Sequence, residues 1–151
     1  MSPSFLDLAV RAVTTFVLLL FVQALTHKLV DFVRFRGYVS QYRMLPQPAE
    51  TPAALGLVLA EAALVAWLLV APDQPGGLYL ATGLLLMYAL AIGLNVWRGR
   101  RHIDCGCGGP AQTVSWQLVL RNLLLAAAAL ATAGRATTML ATSDTLLAVL
   151  A

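Results

Sequence analysis

The sequence predicts an all-α protein folded as a four-helix bundle inside a membrane, and three observations carry that prediction. Of the 151 residues, 60% are hydrophobic and 11% charged, and the mean hydropathy of +0.79 lies far from the soluble globular norm. Four apolar runs are each long enough to cross a hydrocarbon core of about 30 Å at about 1.5 Å per residue. They are apolar on all sides, whereas a helix at the surface of a soluble domain keeps a charged stripe toward water. The chain is read as one transmembrane domain, 1–151, with spans at about 8–30, 53–70, 78–97 and 116–133.

The first span has Arg11 near one end and His27 and Lys28 near the other. It is too long for the apolar core of a signal peptide and lacks a small-residue cleavage site, so it reads as a membrane helix. The connection from Asp31 to Pro52 holds Arg34, Arg36, Tyr38, Tyr42 and Arg43. Its aromatic and basic content predicts a short amphipathic helix at the interface, ended by Pro46 and Pro48. The stretch PDQPGG, 72–77, makes a tight turn that sets the second and third spans side by side and antiparallel. Gly83 and Gly93 in the third span let another backbone approach.

A polar loop, 98–115, reads RGRRHIDCGCGGPAQTVS. Ser115 is placed to N-cap the fourth span. The tail from Gly134 ends in an apolar segment, 145–151, too short to cross, which reads as an interfacial piece or the stub of a fifth helix. The net charge is +3, but the basic residues flank hydrophobic helix ends, a pattern suited to lipid headgroups and not to nucleic acid.

The two cysteines, Cys105 and Cys107, are separated only by Gly106. A structural disulfide is most effective when it closes a long loop, so this pair is poorly placed as a staple. Gly106 can take positive φ and bend the chain until the two sulfurs meet. A strained, exposed disulfide is readily reduced, which suits exchange chemistry. Arg100, Arg101 and His102 are placed to favour a thiolate and Asp104 to oppose it. Gly108, Gly109 and Pro110 keep the far side of the loop open. Two other readings stand beside this one: a pair of reduced thiols in a loop, or a dithiolate site for a soft ion such as Cu(I).

Glu61 lies in the middle of the second span, where an isolated carboxylate is costly and marks a functional position by default. Counted from the loop side, Glu61 is roughly 12 Å deep and Arg121 roughly 9 Å deep, so the two are expected to pair. His27 and Lys28 reach similar depths, and Gln117 shares a helix face with Arg121. A structural ion pair between helices is as good an account of Glu61 as a catalytic one. Asn95 and Asn122 can hydrogen-bond between helices or to the head of a quinone. Trp97 and Trp116 bracket the loop as belt aromatics.

These residues resemble the MauE (methylamine-utilisation) family within the DoxX-like membrane proteins. The likeness rests on HKLVDFVRFRGYVSQYRMLP after the first span, on Glu61, and on HIDCGCGGP followed by a helix carrying Arg121-Asn122. It implies a redox helper that exchanges electrons with a thioredoxin-like partner and supports disulfide formation in exported proteins, with Cys105 and Cys107 as the catalytic pair. Glu61, Arg121, Asn122, Lys28 and His27 are the supporting positions, and no metal or certain cofactor is implied. The chain departs from the family at Gly108, where an aromatic is more usual, and in its short tail. The arrangement also resembles the four-helix oxidases of the vitamin K epoxide reductase and DsbB type, in which a cysteine pair lies beside a quinone. Those use a second cysteine pair, which a partner must supply here. A non-catalytic assembly subunit is the remaining alternative.

Sidedness is contested. Lys28, Arg34, Arg36, Arg43, Arg98, Arg100 and Arg101 all fall on the loop side, and the positive-inside rule places that side in the cytoplasm. Disulfide chemistry belongs on the exported side of a cell (inner) membrane. The resemblance implies the exported side, and the loop is expected to face outward.

Overall fold

The computed structural model describes residues 5–100, 102–105 and 113–150, with side chains described as far as Ala136. Among these residues there are five helices: α1 (Phe5–Val30), α2 (Phe32–Gln41), α3 (Gln47–Val70), α4 (Pro75–Trp97) and α5 (Trp116–Leu150). Four of them, α1, α3, α4 and the Trp116–Ala136 part of α5, are long and apolar enough to cross a membrane. The protein is thus an all-α, multi-pass membrane bundle. Helix α4 packs most extensively against α5, and α3 against α1 and α4, while α1 also touches α5. The helices therefore close a ring in the order α1, α3, α4, α5.

Lipid and core faces separate cleanly. Leu8, Leu19, Leu59, Leu69, Leu90 and Leu124 are exposed, as side chains that meet acyl chains must be. The half of the core away from the 98–115 loop is filled by Phe21, Leu64, Leu68, Leu78 and Leu85 with Ala81, Ala126 and Ala129. Alanine at the α4–α5 seam lets the backbones approach, which is how helices gain contact area in lipid.

Three boundaries differ from the sequence reading. Asp31 caps α2, its Oδ1 accepting from Arg34 N at 3.0 Å, and that helix ends at Gln41, before either proline. Arg43 then takes φ 46°, a left-handed turn rarely adopted by a bulky residue. Pro46 is the N-cap of α3 and Pro48 lies in its first turn, where a missing N–H costs nothing. The prolines thus begin the next helix and do not end the last one. At the other end, the tail is not a separate segment, because α5 runs unbroken from Trp116 to Leu150. No proline follows Gly134, and one helical glycine costs only about 1 kcal/mol.

The 71–74 turn brings α3 and α4 together as expected, but the close approach is made by residues other than Gly83. A Cβ on Gly83 would meet nothing within 4 Å, whereas one on Gly77 would lie 2.7 Å from Leu68 Cδ2. Gly93 lies beside Val119 of α5. At the end of α4, Gly99 takes φ 75° and donates to Val96 O, a left-handed cap that turns the chain into the loop. Leu68 is 2% exposed and cannot swing aside. Gly77→Ala is therefore expected to lower stability by about 1–3 kcal/mol, whereas Gly83→Ala does not lower it. Thermal unfolding of both variants in lipid nanodiscs checks this.

Candidate functional site

The order of the helices around the ring decides which polar residues meet. Lys28, two residues before the end of α1, and Glu61 on α3 form a buried ion pair between Nζ and Oε1. Lys28 is 2% exposed and Glu61 0%, so neither charge is relieved by solvent. Tyr88 of α4 completes a triad, its hydroxyl donating to Glu61 Oε1 at 2.6 Å and accepting from Lys28 Nζ at 3.1 Å. Phe35 of α2 roofs the ammonium, with Nζ 5.0 Å from its ring centroid and 4.9 Å from that of Tyr88. The remaining carboxylate oxygen, Glu61 Oε2, is buried without a hydrogen-bond partner.

Glu61 does not pair with Arg121. Arg121 lies on the exposed face of α5, and α5 packs chiefly against α4 while α1 is the neighbour of α3. Equal depth was the wrong criterion, because the order of helices around the ring decides which residues at one depth face each other. His27 points outward, one residue from the buried Lys28. Asn122 is buried with Asn95, on neighbouring helices. Asn95 Nδ2 donates to Ala91 O, and its Oδ1 and Asn122 Nδ2 have no partner.

The loop is anchored at its base. Asp104 and Thr113 form an antiparallel bridge, and Val114 N donates to Ile103 O at 2.9 Å. Ile103 and Val114 are buried against Ile92, Val96 and Leu118. This holds Cys105, half-buried, against the bundle. Tyr42, from the turn after α2, donates its hydroxyl to Cys105 O at 3.2 Å. Burial pushes the Tyr42 hydroxyl up to about 12, so it remains a donor throughout the physiological range. Cys107, Arg101, Gly106 and Gly108 lie outside the described residues, and so does the expected Cys105–Cys107 pairing. Of the flanking basic residues, His102 is exposed, and Arg100 lines a shallow hollow with Gln41, Arg43 and His102.

Cys105 and Tyr88 share a cavity. An apolar cleft of about 490 Å³ opens between α2, α3, α4 and the loop, lined among others by Tyr38, Tyr42, Met87, Tyr88, Ala91 and Cys105. The sequence reading missed Tyr88 and Tyr42. A tyrosine nine residues before Trp97, far from the interfacial belt, was the available signal for Tyr88. Nothing in the sequence distinguished Tyr42 from its neighbours Tyr38 and Arg43.

Removing one member of the buried pair leaves the other charge alone. Lys28→Met or Glu61→Gln is expected to cost about 3–5 kcal/mol, whereas Arg121→Gln changes stability by less than about 0.5 kcal/mol; denaturant titration in mixed micelles checks both. The Tyr42 contact has its own pH signature. Because the folded value lies near 12, above the ordinary 10.0, its stabilisation is complete below the unfolded value and lost as pH rises through the folded one. The stability difference between the wild type and Tyr42→Phe is expected to stay constant up to about pH 10 and to shift against the wild type from there toward 12, as followed by unfolding across alkaline buffers.

Comparison with known proteins places this arrangement in a family. The family model described as methylamine utilisation protein MauE matches residues 6–134. The chain is 47% identical over 124 residues to the methylamine utilization protein MauE of Paracoccus denitrificans, covering 81% of this chain and 67% of that protein. The MauE of Methylorubrum extorquens is 40% identical over 128 residues, covering 81% and 69%, and that of Paracoccus versutus is 38% identical over 124 residues, covering 81% and 67%. No solved structure matches the chain. The chain belongs to the MauE family.

Proposed function

We propose that this member of the MauE family is a membrane thiol–disulfide oxidoreductase that keeps a thioredoxin-like partner oxidised during maturation of exported proteins, the methylamine-utilisation machinery named for its relatives among them. The observation that carries the reading is the seating of Cys105. Its segment is clamped at the Asp104–Thr113 bridge, its carbonyl is held by Tyr42, and it reaches the rim of an apolar cleft. A cysteine kept for packing has no need of a second cysteine two residues away in a glycine-rich sequence.

The exchange balances on sulfur. A thiolate of the partner attacks the Cys105–Cys107 disulfide, breaking that S–S bond and forming a mixed disulfide. The partner's second thiolate then attacks the mixed disulfide, leaving the partner oxidised and this protein as a dithiol. Two electrons and two protons have passed to Cys105 and Cys107. The loop faces the exported side in this scheme, where disulfides persist.

Replacing one cysteine separates the steps. Cys105→Ser or Cys107→Ser is expected to abolish partner oxidation while the bundle still folds, and the variant that retains the attacked sulfur accumulates the mixed disulfide, visible by non-reducing electrophoresis and mass spectrometry. Unchanged partner oxidation in both variants would sink the reading. Labelling by a membrane-impermeant thiol reagent in intact cells reports the side on which the loop lies.

A further inference from the structure

The exchange leaves two electrons on a dithiol, and the chain has no second cysteine pair to receive them. The acceptor must come from outside, and the cleft beside Cys105 constrains what it is. The wall of the cleft is aromatic where Phe35, Tyr38, Tyr42 and Tyr88 line it, and aliphatic where Leu57, Ala60 and Leu84 do. Its margin carries Met44, Leu45 and Met87, which are 41%, 43% and 40% exposed on a bundle whose exposed apolar surface meets lipid. A ligand that enters there comes from the bilayer. The volume of about 490 Å³ lies in the range of sites that hold a ring with a short tail, about 300–1,000 Å³.

The wall is not uniformly apolar. The Tyr88 hydroxyl is backed by the Lys28 ammonium and Glu61, and Glu61 keeps one buried oxygen with no partner. A cavity for an acyl chain alone has no use for a hydroxyl set against an ion pair. A flat ring bearing carbonyls and an apolar tail matches aromatic walls, a hydrogen-bond donor and an aliphatic continuation together.

Resting on the thiol–disulfide reading, we propose that the α2–α3–α4 cleft binds a lipid-soluble quinone, with its ring between Cys105 and Tyr88, and that this quinone reoxidises the dithiol. Two S–H bonds break and one S–S bond forms. The two electrons pass to the ring, and the two protons end on its two oxygens as quinol. Tyr88 is a positioning residue: its hydroxyl turns from Glu61 to one quinone carbonyl, while Lys28 holds the carboxylate it leaves.

The test uses the full chain in lipid nanodiscs with a decyl-chain ubiquinone as the probe. The wild type binds it saturably, and the reduced wild type converts one equivalent to quinol as the disulfide forms. Gly56 lines the cleft and has open space at its Cβ, so Gly56→Trp fills the cavity and weakens binding by at least about tenfold; Ala53→Phe, on the same wall, does the same by a second route. Tyr88→Phe weakens binding by roughly three- to tenfold, the loss of one hydrogen bond. It also abolishes a downshift of one carbonyl stretch in the infrared spectrum of bound isotope-labelled quinone, which a merely structural tyrosine would leave in place. A wild type that exchanges disulfides stoichiometrically with a dithiol but neither binds nor reduces the quinone overturns this inference alone. So does equal affinity in the wild type and both filled variants, or occupation by phospholipid chains that the quinone does not displace. A wild type that binds the quinone but never exchanges disulfides overturns the thiol–disulfide reading and the redox half of this one.

Discussion

A charge buried among membrane-spanning helices must find its opposite there, and the Lys28–Glu61 pair is where this protein meets that requirement. The carboxylate is central to α3 and cannot reach either interface. The ammonium is near the end of α1, so the two meet only if α3 runs on past the end of α1 and exposes its flank there. Helix α2 lies on that flank, placing Phe35 against Ala54 and Val58 and over the ammonium. The pair thus joins α1 to α3, with Phe35 of α2 and Tyr88 of α4 gathered about it.

The same arrangement explains how a redox loop and a membrane cleft come to share a wall. Helix α2, drawn down onto α3, leaves Tyr38 and Tyr42 facing α4 across a gap that no large side chain among the described residues fills. The chain leaving α4 turns at Gly99, and its Ile103–Val114 base is buried against the end of the α4–α5 pair. Cys105 follows two residues later and lines the mouth of that gap. The placement of α2 on α3 thus shapes one wall of the cavity.

Much of this was legible from residue order. Four apolar runs gave four candidate spans, although α3 begins earlier, at Gln47, and α5 runs on to Leu150; the PDQPGG turn gave an antiparallel α3–α4 neighbourhood, and an acid inside a span announced a buried partner. Partner choice was not legible. Arg121 and Lys28 offered the same charge at comparable depth, and only the cyclic order of helices, which no hydropathy pattern encodes, puts one against Glu61 and the other on the outer face. The prolines were misread for a related reason: Pro46 and Pro48 signal a helix boundary, and the sequence is silent on whether they close one helix or open the next. Tyr42 could not be singled out, because its role depends on a loop 63 positions away.

The different positions of the two residues along their helices bear on how the chain enters the membrane. Lys28 leaves the translocation machinery with α1, before any of α3 has been made. Two residues from the helix end, its flexible stem can hold the ammonium at headgroup level in the interval. Glu61 has no comparable refuge, but by the time it arrives the base is already waiting. The order of synthesis therefore delivers first the charge that can wait, and an inverted arrangement, with the acid deep in the first helix and the base shallow in the third, would strand a carboxylate in hydrocarbon for the time taken to translate the intervening chain.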